Sequence, residues 1–563
     1  MSSLYQKSWQ KPCYGNMIQL ESVKQDLIQK WLEKIGLNSK EEKDAFLSPS
    51  YDEHLHDPYL MRDMEKSVSR IKKAIDNKEK IFIFTDYDCD GIPGAVVLHD
   101  FLKKVEHEDF YVHVPHREEE GYGLSISGVD EAVSYGADLI ITIDLGITAI
   151  EEVRYANEKG VDVIITDHHL PKDELPEAFA ILNPKIDEYP EKMLCGSGVV
   201  FKLVQGFLNK HRKDFGVTLG WEKWSLDMVG LATLSDMVPL LGENRVFAKY
   251  GLLVMKKARR LGLRELLKKF GVMYKYITED DVYFSVTPAI NSASRMDNPR
   301  IAFDLLCAKD EATARELANK LYTLNQERKK MVTHIMKDVY KRLDHRNHEK
   351  VIVVGDPSWR AGVLGLIASK VVDKYNVPAF VWGGNGGEYY KGSVRGVGGV
   401  DIVKIMENSS DKFETFGGHK EAGGFTISLE NVHTLEDSLR EKIEEAVSKN
   451  NENVEVDFDI DLYSIDQSLH QTLDTLGPFG VSNPKPVFRL VDIDVVSADM
   501  FGKTKNHLSL SVISKDKEIR AIKFFADEED LDKYKNHKAK HIFGHVEKSY
   551  FRGNEEVRFK IVD

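Results

Sequence analysis

A multidomain α/β fold is predicted, and three features of the chain predict it. From about residue 78 to 243, short apolar runs alternate with helix-like segments, the pattern of a doubly wound parallel sheet. From Asp310 to Val354 there is neither glycine nor proline, which suits one long connecting helix. Beyond about residue 452, apolar and polar residues alternate as in half-buried strands. The fold class is therefore a parallel-sheet domain, a connecting helix, a smaller α/β domain and a C-terminal β-barrel.

In chain order, residues 1–75 read as a helical segment, with apolar positions near helical spacing from Ile18 to Leu47. The strands expected in the domain 76–243 are IFIF at 81–84, FYVHV at 110–114, DLIITI at 138–143 and VDVIIT at 161–166. The region 244–347 is helical. Within it Leu317, Leu321, Leu324, Met331, Ile335, Val339 and Leu343 recur at three- and four-residue steps, and about 30 such residues span roughly 45 Å. VIVVGD at 351–356 and AFVWGG at 379–384 open a second α/β domain, 348–450. VEVDFDIDL at 454–462, HLSLSVI and VRFKIVD mark the β-domain, 451–563.

A chain of 563 residues exceeds one hydrophobic core. The formal net charge of −14 argues against a polycation that coats nucleic acid, though not against a local basic groove. Cys13, Cys89, Cys195 and Cys307 lack CxxC spacing, so neither a zinc site nor a disulfide framework is expected, and a reducing compartment fits. No apolar leader or membrane-length run is found, and the cytoplasm is the expected location.

The chemistry concentrates at strand ends. Asp86, Asp88 and Asp90 follow the first strand at alternate positions, and Gly91 then opens a helix-like segment. Three neighbouring carboxylates repel, and burial makes this worse unless cations hold them; hard oxygen ligands suit Mg²⁺ or Mn²⁺. Asp144 follows the third strand, and Asp167, His168 and His169 follow the next. In open parallel sheets, ligands bind beyond the carboxyl ends of the strands. Asp236, interrupting the apolar LATLSDMVPL, reads alone as a helix cap or turn residue and, with the others, as a further ligand. The set suits two divalent cations about 3.5–4 Å apart, a centre that hydrolyses phosphoesters. No serine or cysteine nucleophile with its base and no P-loop are found.

These residues resemble the DHH phosphoesterase superfamily and, within it, the RecJ family. The resemblance covers roughly residues 75–563. It rests on DYDCDG, ITIDLGIT, TDHH and SDMVPL in order, with GYGL (121–124), NSASRM (291–296), WRAGVLGLIASK (359–370), GSVRG (392–396), FGGHKEAGG (416–424) and GPFGVSNPKPVF (477–488). It implies that Asp88, Asp90, Asp144, His168 and Asp236 hold two Mn²⁺ or Mg²⁺ ions, with Asp144 bridging. Asp86 would act as a ligand or behind the ligands. His169 would lie beside the scissile phosphate, and His419 would face the metal site across the cleft. NSASRM stands where an Asn-Ala-Ala-Gly-Arg-Met run is common, and Gly396 where serine is usual; both segments keep their arginine.

By the same resemblance, Arg117, Arg295, Ser393 and Arg395 capture a terminal 5′-phosphate, which a guanidinium fork matches as lysine cannot. Tyr122, Asn291, Gly418, Gly423 and Gly424 complete the expected nucleic-acid site. The β-domain is expected to be OB-like and to bind DNA, with Phe501, Lys503, Lys505, His507, Lys523, Phe524 and Phe525 as candidate contacts. The function implied is a 5′-to-3′ exonuclease for single-stranded DNA, in recombination and repair. A channel too narrow for duplex would select the strand, and a helicase and a single-strand-binding protein are the expected partners. Two other readings are a phosphatase for small nucleotides, which the additional β-domain disfavours, and a scaffold without metals, which the intact acid and histidine set disfavours.

Overall fold

The computed structural model describes residues 20–562 apart from 187, 345, 347–349, 385–386, 399, 444–454, 503–504, 536–540 and 552–553. The described residues form two compact units. One comprises 56–236 and 250–450; the other draws on 1–55, 237–249 and 451–563.

The larger unit contains two sheets. The first has β1 (Ile81–Thr85), β2 (Phe110–His113), β3 (Leu139–Ile143), β4 (Asp162–Thr166) and β5 (Ala180–Leu182), in the order β2-β1-β3-β4-β5. All neighbours are parallel, as expected. β1 and β3 are buried throughout, because helices cover both faces. Phe82, Phe84, Ile140, Val163 and Ile165 pack against Val129, Ala132, Val153 and Ala156 of the helices Ile126–Tyr135 and Ile150–Glu158. The helices Gly91–Lys104 and Gly196–His211 pack against strands of this sheet as well. β5 was not foreseen: three residues are too short to show a period.

The connecting helix runs Glu311–Leu343, about 50 Å, shorter than the run free of glycine and proline. Asp310 starts it by accepting a hydrogen bond from the Thr313 amide at 2.9 Å. Its first half packs on the helices Leu261–Lys269, Thr287–Met296 and Arg300–Cys307. Its last turns bury Val332, Ile335, Met336, Val339 and Leu343 against Ile352, Val354, Val363 and Ile367. That second core supports a mixed sheet of β6 (Ile352–Asp356), β7 (Ala379–Gly383), β8 (Tyr389–Arg395), β9 (Thr415–His419) and β10 (Ala422–Ser428), ordered β6-β7-β8-β10-β9.

The smaller unit carries a seven-stranded mixed sheet: β11 (Phe458–Ile460), β12 (Phe488–Val491), β13 (Asp494–Phe501), β14 (His507–Ser514), β15 (Lys517–Phe524), β16 (His541–Phe551) and β17 (Asn554–Ile561). The order is β11-β12-β16-β17-β15-β14-β13. Its edges are β11 and β13, and among the described residues no pairing joins them into a closed ring. Among the described residues 455–462 of the alternating run, the only named strand is the short β11. Asp461 stops it by capping a 3₁₀ turn, Leu462–Ser464, accepting from the Ser464 amide at 2.8 Å. Leu27, Trp31, Leu32 and Phe46 from the amino-terminal helices share this core with Leu473, Leu490, Leu510 and Phe559. Asn483 accepts from Trp31 Nε1 at 3.0 Å and donates to the carbonyls of Leu476 and Pro478, both at 2.9 Å.

Candidate metal centre and phosphate pocket

The carboxyl ends of β1, β3 and β4 bring the acidic and imidazole groups to one rim. Past β1, the Asp88 carboxylate accepts from the amides of Asp90 (2.7 Å) and Gly91 (3.1 Å), which folds the acidic turn tightly. The buried Asp90 accepts from the amides of Gly196 (2.6 Å) and Ser197 (2.7 Å), at the start of the helix Gly196–His211. Past β3, Asp144 adopts a left-handed conformation, φ +62°, which aspartate tolerates better than most residues. The chain passes so close to it that a Cβ on Gly196 would lie 2.6 Å from the Asp144 Cβ.

Past β4, Asp167 organises the histidine pair. Its carboxylate accepts from the amides of His168 (2.7 Å), His169 (3.0 Å) and Ile147 (2.9 Å), and it binds His169 Nδ1 at 2.8 Å. Burial pushes this carboxyl up, but the His169 hydrogen bonds and charge prevail and hold it below the ordinary value. His168 Nε2 lies 3.2 Å from Asp144, 3.7 Å from Asp236 and 3.9 Å from Asp90. Burial first, then the neighbouring His169 charge, depresses His168 to about 3, so it is neutral and able to bind a metal. Asp236 caps the helix Leu226–Ser235, and its carboxylate also lies with Asp90 and His168.

The residues fit a pair of divalent cations. Three groups have ligand atoms within 4.8 Å of one another: Asp144, His168 and His169; Asp90, His168 and Asp236; Asp86, Asp88 and Asp144. Asp144 and His168 each belong to two groups. Asp144 Oδ1 is buried without a hydrogen-bond partner. Burial, then the negative charge of Asp90 and Asp88, pushes Asp236 up to about 8 and drives Asp144 far above the ordinary carboxylate range. Burial and then Asp88 raise Asp90 to about 6, and raise Asp86 well above its usual value. A buried acid cluster in this state binds protons or cations.

A second cluster is basic. Arg295 donates to the Gly362 carbonyl at 2.9 Å, Arg395 to the Val394 carbonyl at 2.9 Å, and Arg117 stacks over the Tyr87 ring at 5.1 Å. Arg328, on the connecting helix, is fixed by Asn325 Oδ1 through Nε (3.1 Å) and Nη2 (2.9 Å). Among the described residues no carboxylate pairs with any of these four. Burial, then the charges of Arg117, Arg328 and Arg395, lowers Arg295 to about 9. Such a cluster calls for an anion with several oxygens. Ser393 and Arg395 lie two residues apart on β8, where a Cβ on Gly365 would meet Arg395 Nη2 at 3.1 Å and Ser393 Oγ at 3.5 Å.

The structure brings the expected residues together to different degrees. Tyr122 reaches His169 Nε2 at 3.3 Å, and the His419 ring lies 6.3 Å from that of His169, within 7° of parallel. Asn291 Oδ1 is buried without a partner on the helix that carries Arg295. Gly418 and Gly423 allow β9 and β10 to approach closely, whereas a Cβ on Gly424 would have only the Gly392 carbonyl within 4 Å, at 3.7 Å. In the smaller unit, Phe501, Phe524 and Phe525 surround His507 at ring distances of 5.4, 5.3 and 5.5 Å, and Phe525 is 83% exposed. Lys523 is ion-paired with Asp530, Lys505 is exposed, and Lys503 lies outside the described residues. Sequence reading missed Arg328: an arginine in a helical run looks like solvated surface, and only its place beside three other arginines sets it apart.

Known proteins share this organisation. The DHH family N-terminal domain matches residues 80–233, the DHHA1 domain 348–448 and the RecJ OB domain 456–563. The chain is 34% identical over 505 residues to the single-stranded-DNA-specific exonuclease RecJ of Bacillus subtilis, across 88% of this chain. It spans 63% of that relative's length. It is 30% identical over 471 residues to the RecJ of Haemophilus influenzae, covering 80% of this chain and 82% of the relative. The crystal structure of Thermus thermophilus RecJ in complex with Mn²⁺ shares the fold, with a TM-score of 0.80 and 24% identity over 97% of this chain and 76% of that one. A crystal structure of exonuclease RecJ bound to manganese matches with a TM-score of 0.60 and 30% identity, over 68% and 94%.

Proposed function

The chain belongs to the RecJ family, and from that premise we propose that it hydrolyses single-stranded DNA from the 5′ end to 5′-mononucleotides. One observation carries the reading. A single compact unit holds both an acid and imidazole rim suited to cations and a cluster of four arginines that no described carboxylate pairs with. A small-nucleotide phosphatase needs the first; a nuclease that starts at a phosphorylated end uses both.

In this proposal Asp88, Asp90, Asp144, His168 and Asp236 would hold two Mn²⁺ or Mg²⁺ ions, with Asp144 as the ligand common to both. Asp86, whose carboxylate groups with those of Asp88 and Asp144, would be a further ligand or support them from behind. Bound there, the ions would acidify water and polarise the phosphate. Arg117, Arg295, Ser393 and Arg395, with Asn291 at their side, hold the terminal phosphate and so fix how far the strand enters. His169, its Nδ1 held by Asp167, presents Nε2 beside Tyr122 and His419 and stabilises charge on the reacting phosphate. The Gly418, Gly423 and Gly424 backbone admits the strand closely.

The aromatic group around His507 suits base stacking, which tolerates any sequence. A helicase that opens duplex ends, a single-strand-binding protein and a cytoplasmic location belong to the same proposal. No described helix is long and apolar enough to cross a membrane. End-labelled single strands with Mn²⁺ test the proposal: 5′-phosphorylated strands should release mononucleotides from the 5′ end and duplex should persist. Preference for a dinucleotide over a long strand would reject it.

A further inference from the structure

The unforeseen strand β5 carries chemistry of its own. Thr166 of β4 pairs with Leu182 of β5, so the turn after β5 runs beside the turn that carries the histidines. Asn183 is fully buried there. Its Nδ2 donates to the His169 carbonyl at 2.9 Å and its Oδ1 accepts from the Lys185 amide at 2.9 Å. The Lys185 ammonium donates to the His168 carbonyl. An ammonium has three donors, and this bond uses one. Among the described residues no carboxylate lies within ion-pair distance of it, although it is half-buried. Desolvating an ammonium merely to tie down one carbonyl is unfavourable, since a hydroxyl would serve.

We propose that Lys185 is a phosphate-facing cation of the reaction centre, reaching the phosphate oxygens of the bound nucleotide from the β5 side. The inference rests on the nuclease reading for the identity of the phosphate. Its position follows from its bond to the His168 carbonyl, which sets the ammonium beside the histidine turn at the end of β4. Burial lowers its pKa, and the charges of Asp236, Asp167 and Asp144 oppose that shift. Asn183 ties the backbones of Lys185 and His169 together, which holds the base of the lysine side chain beside that turn.

Calorimetric titration with dTMP in Mn²⁺ tests this without turnover, because dTMP is the product. Lys185→Met should bind dTMP about tenfold more weakly or worse. Its Mn²⁺ affinity and melting temperature should stay close to wild type, and Lys185→Arg should restore most of the dTMP affinity. Unchanged dTMP binding by Lys185→Met overturns the inference. So does a parallel loss of Mn²⁺ uptake, which would mean that the lysine only supports His168. A wild-type protein that binds dTMP yet leaves single strands intact would instead refute the nuclease reading alone.

Discussion

The imidazoles of His169 and His419 lie 6.3 Å apart and within 7° of parallel, although one follows β4 and the other ends β9. Their environments set them apart. Burial works against charge on His169, but Asp167 outweighs it and raises its pKa, while burial and then the His169 charge lower that of His419. The pair therefore differs in how readily each ring holds a proton, His169 more and His419 less than an ordinary imidazole.

Removing the ring that Asp167 holds should hurt more. His169→Ala is expected to lower kcat by about 10³ and His419→Ala by about 10². Asp167→Asn, which leaves His169 without its anionic partner, should fall between them. Single-turnover rates on a 5′-phosphorylated strand measure all three, and equal losses for both histidine variants would contradict the assignment.

Gly196 touches the Asp144 side chain, with no room for a methyl group between them. Gly196→Ala should push that carboxylate out of the rim and weaken Mn²⁺ uptake by about 10² or more, comparable to loss of supporting contacts at other metal sites. Asp144→Asn should abolish tight uptake of both ions while strand binding persists. Calorimetry with Mn²⁺ decides, and wild-type uptake by Gly196→Ala would show that the rim relaxes freely.

The arginine pocket should discriminate ends. Arg295→Ala and Arg328→Ala are each expected to reduce the preference for a 5′-phosphate over a 5′-hydroxyl by about tenfold in kcat/KM, the size of one charge-assisted hydrogen bond. Arg328→Lys should recover little, because Asn325 grips two nitrogens of a guanidinium. A ratio unmoved by Arg328→Ala would confine that residue to helix packing.

Stability without metal should depend on pH in a defined direction. Carboxyl groups whose folded pKa is raised favour the folded state at low pH, and that stability is lost as pH climbs through about 6 for Asp90 and about 8 for Asp236. His168, depressed to about 3, acts in the opposite sense, but its contribution is complete by about pH 6.5. Between pH 6.5 and 8.5, roughly, the metal-free melting temperature should therefore fall, and Mn²⁺ should flatten the slope by replacing protons. A flat metal-free profile would show that the acids are already neutralised in some other way.

In the smaller unit, Asn483→Ala should destabilise by about 3 kcal/mol, since it strands the Trp31 indole and two carbonyls in a dry core. Denaturant midpoints with an unchanged m-value would measure it, and a change under about 0.5 kcal/mol would mean that water reaches the site.

Much of this was legible because it is local. β1, β3 and β4 are apolar runs ending in acids, and the parallel sheet follows from their alternation with helices. The acids proposed as ligands could be picked out because all but Asp236, which caps a helix, closely follow an apolar strand. What stayed hidden depends on distant partners. Arg328 is distinguished only by three other arginines, Lys185 only by a strand of three residues, and Asp167 only by the amides that it gathers. The alternating run at 454–462 misled because Asp461 caps a turn, which periodicity does not register.

Trp31 and Asn483 meet across 452 positions of sequence. During synthesis these helices leave the ribosome long before the strands that complete their core. Until then Leu27, Trp31, Leu32 and Phe46 have no permanent shelter, while the sheet that carries the acidic rim can already assemble. Maturation of this unit thus waits on residues made hundreds of positions later, and nascent copies should lean on chaperones until those strands emerge.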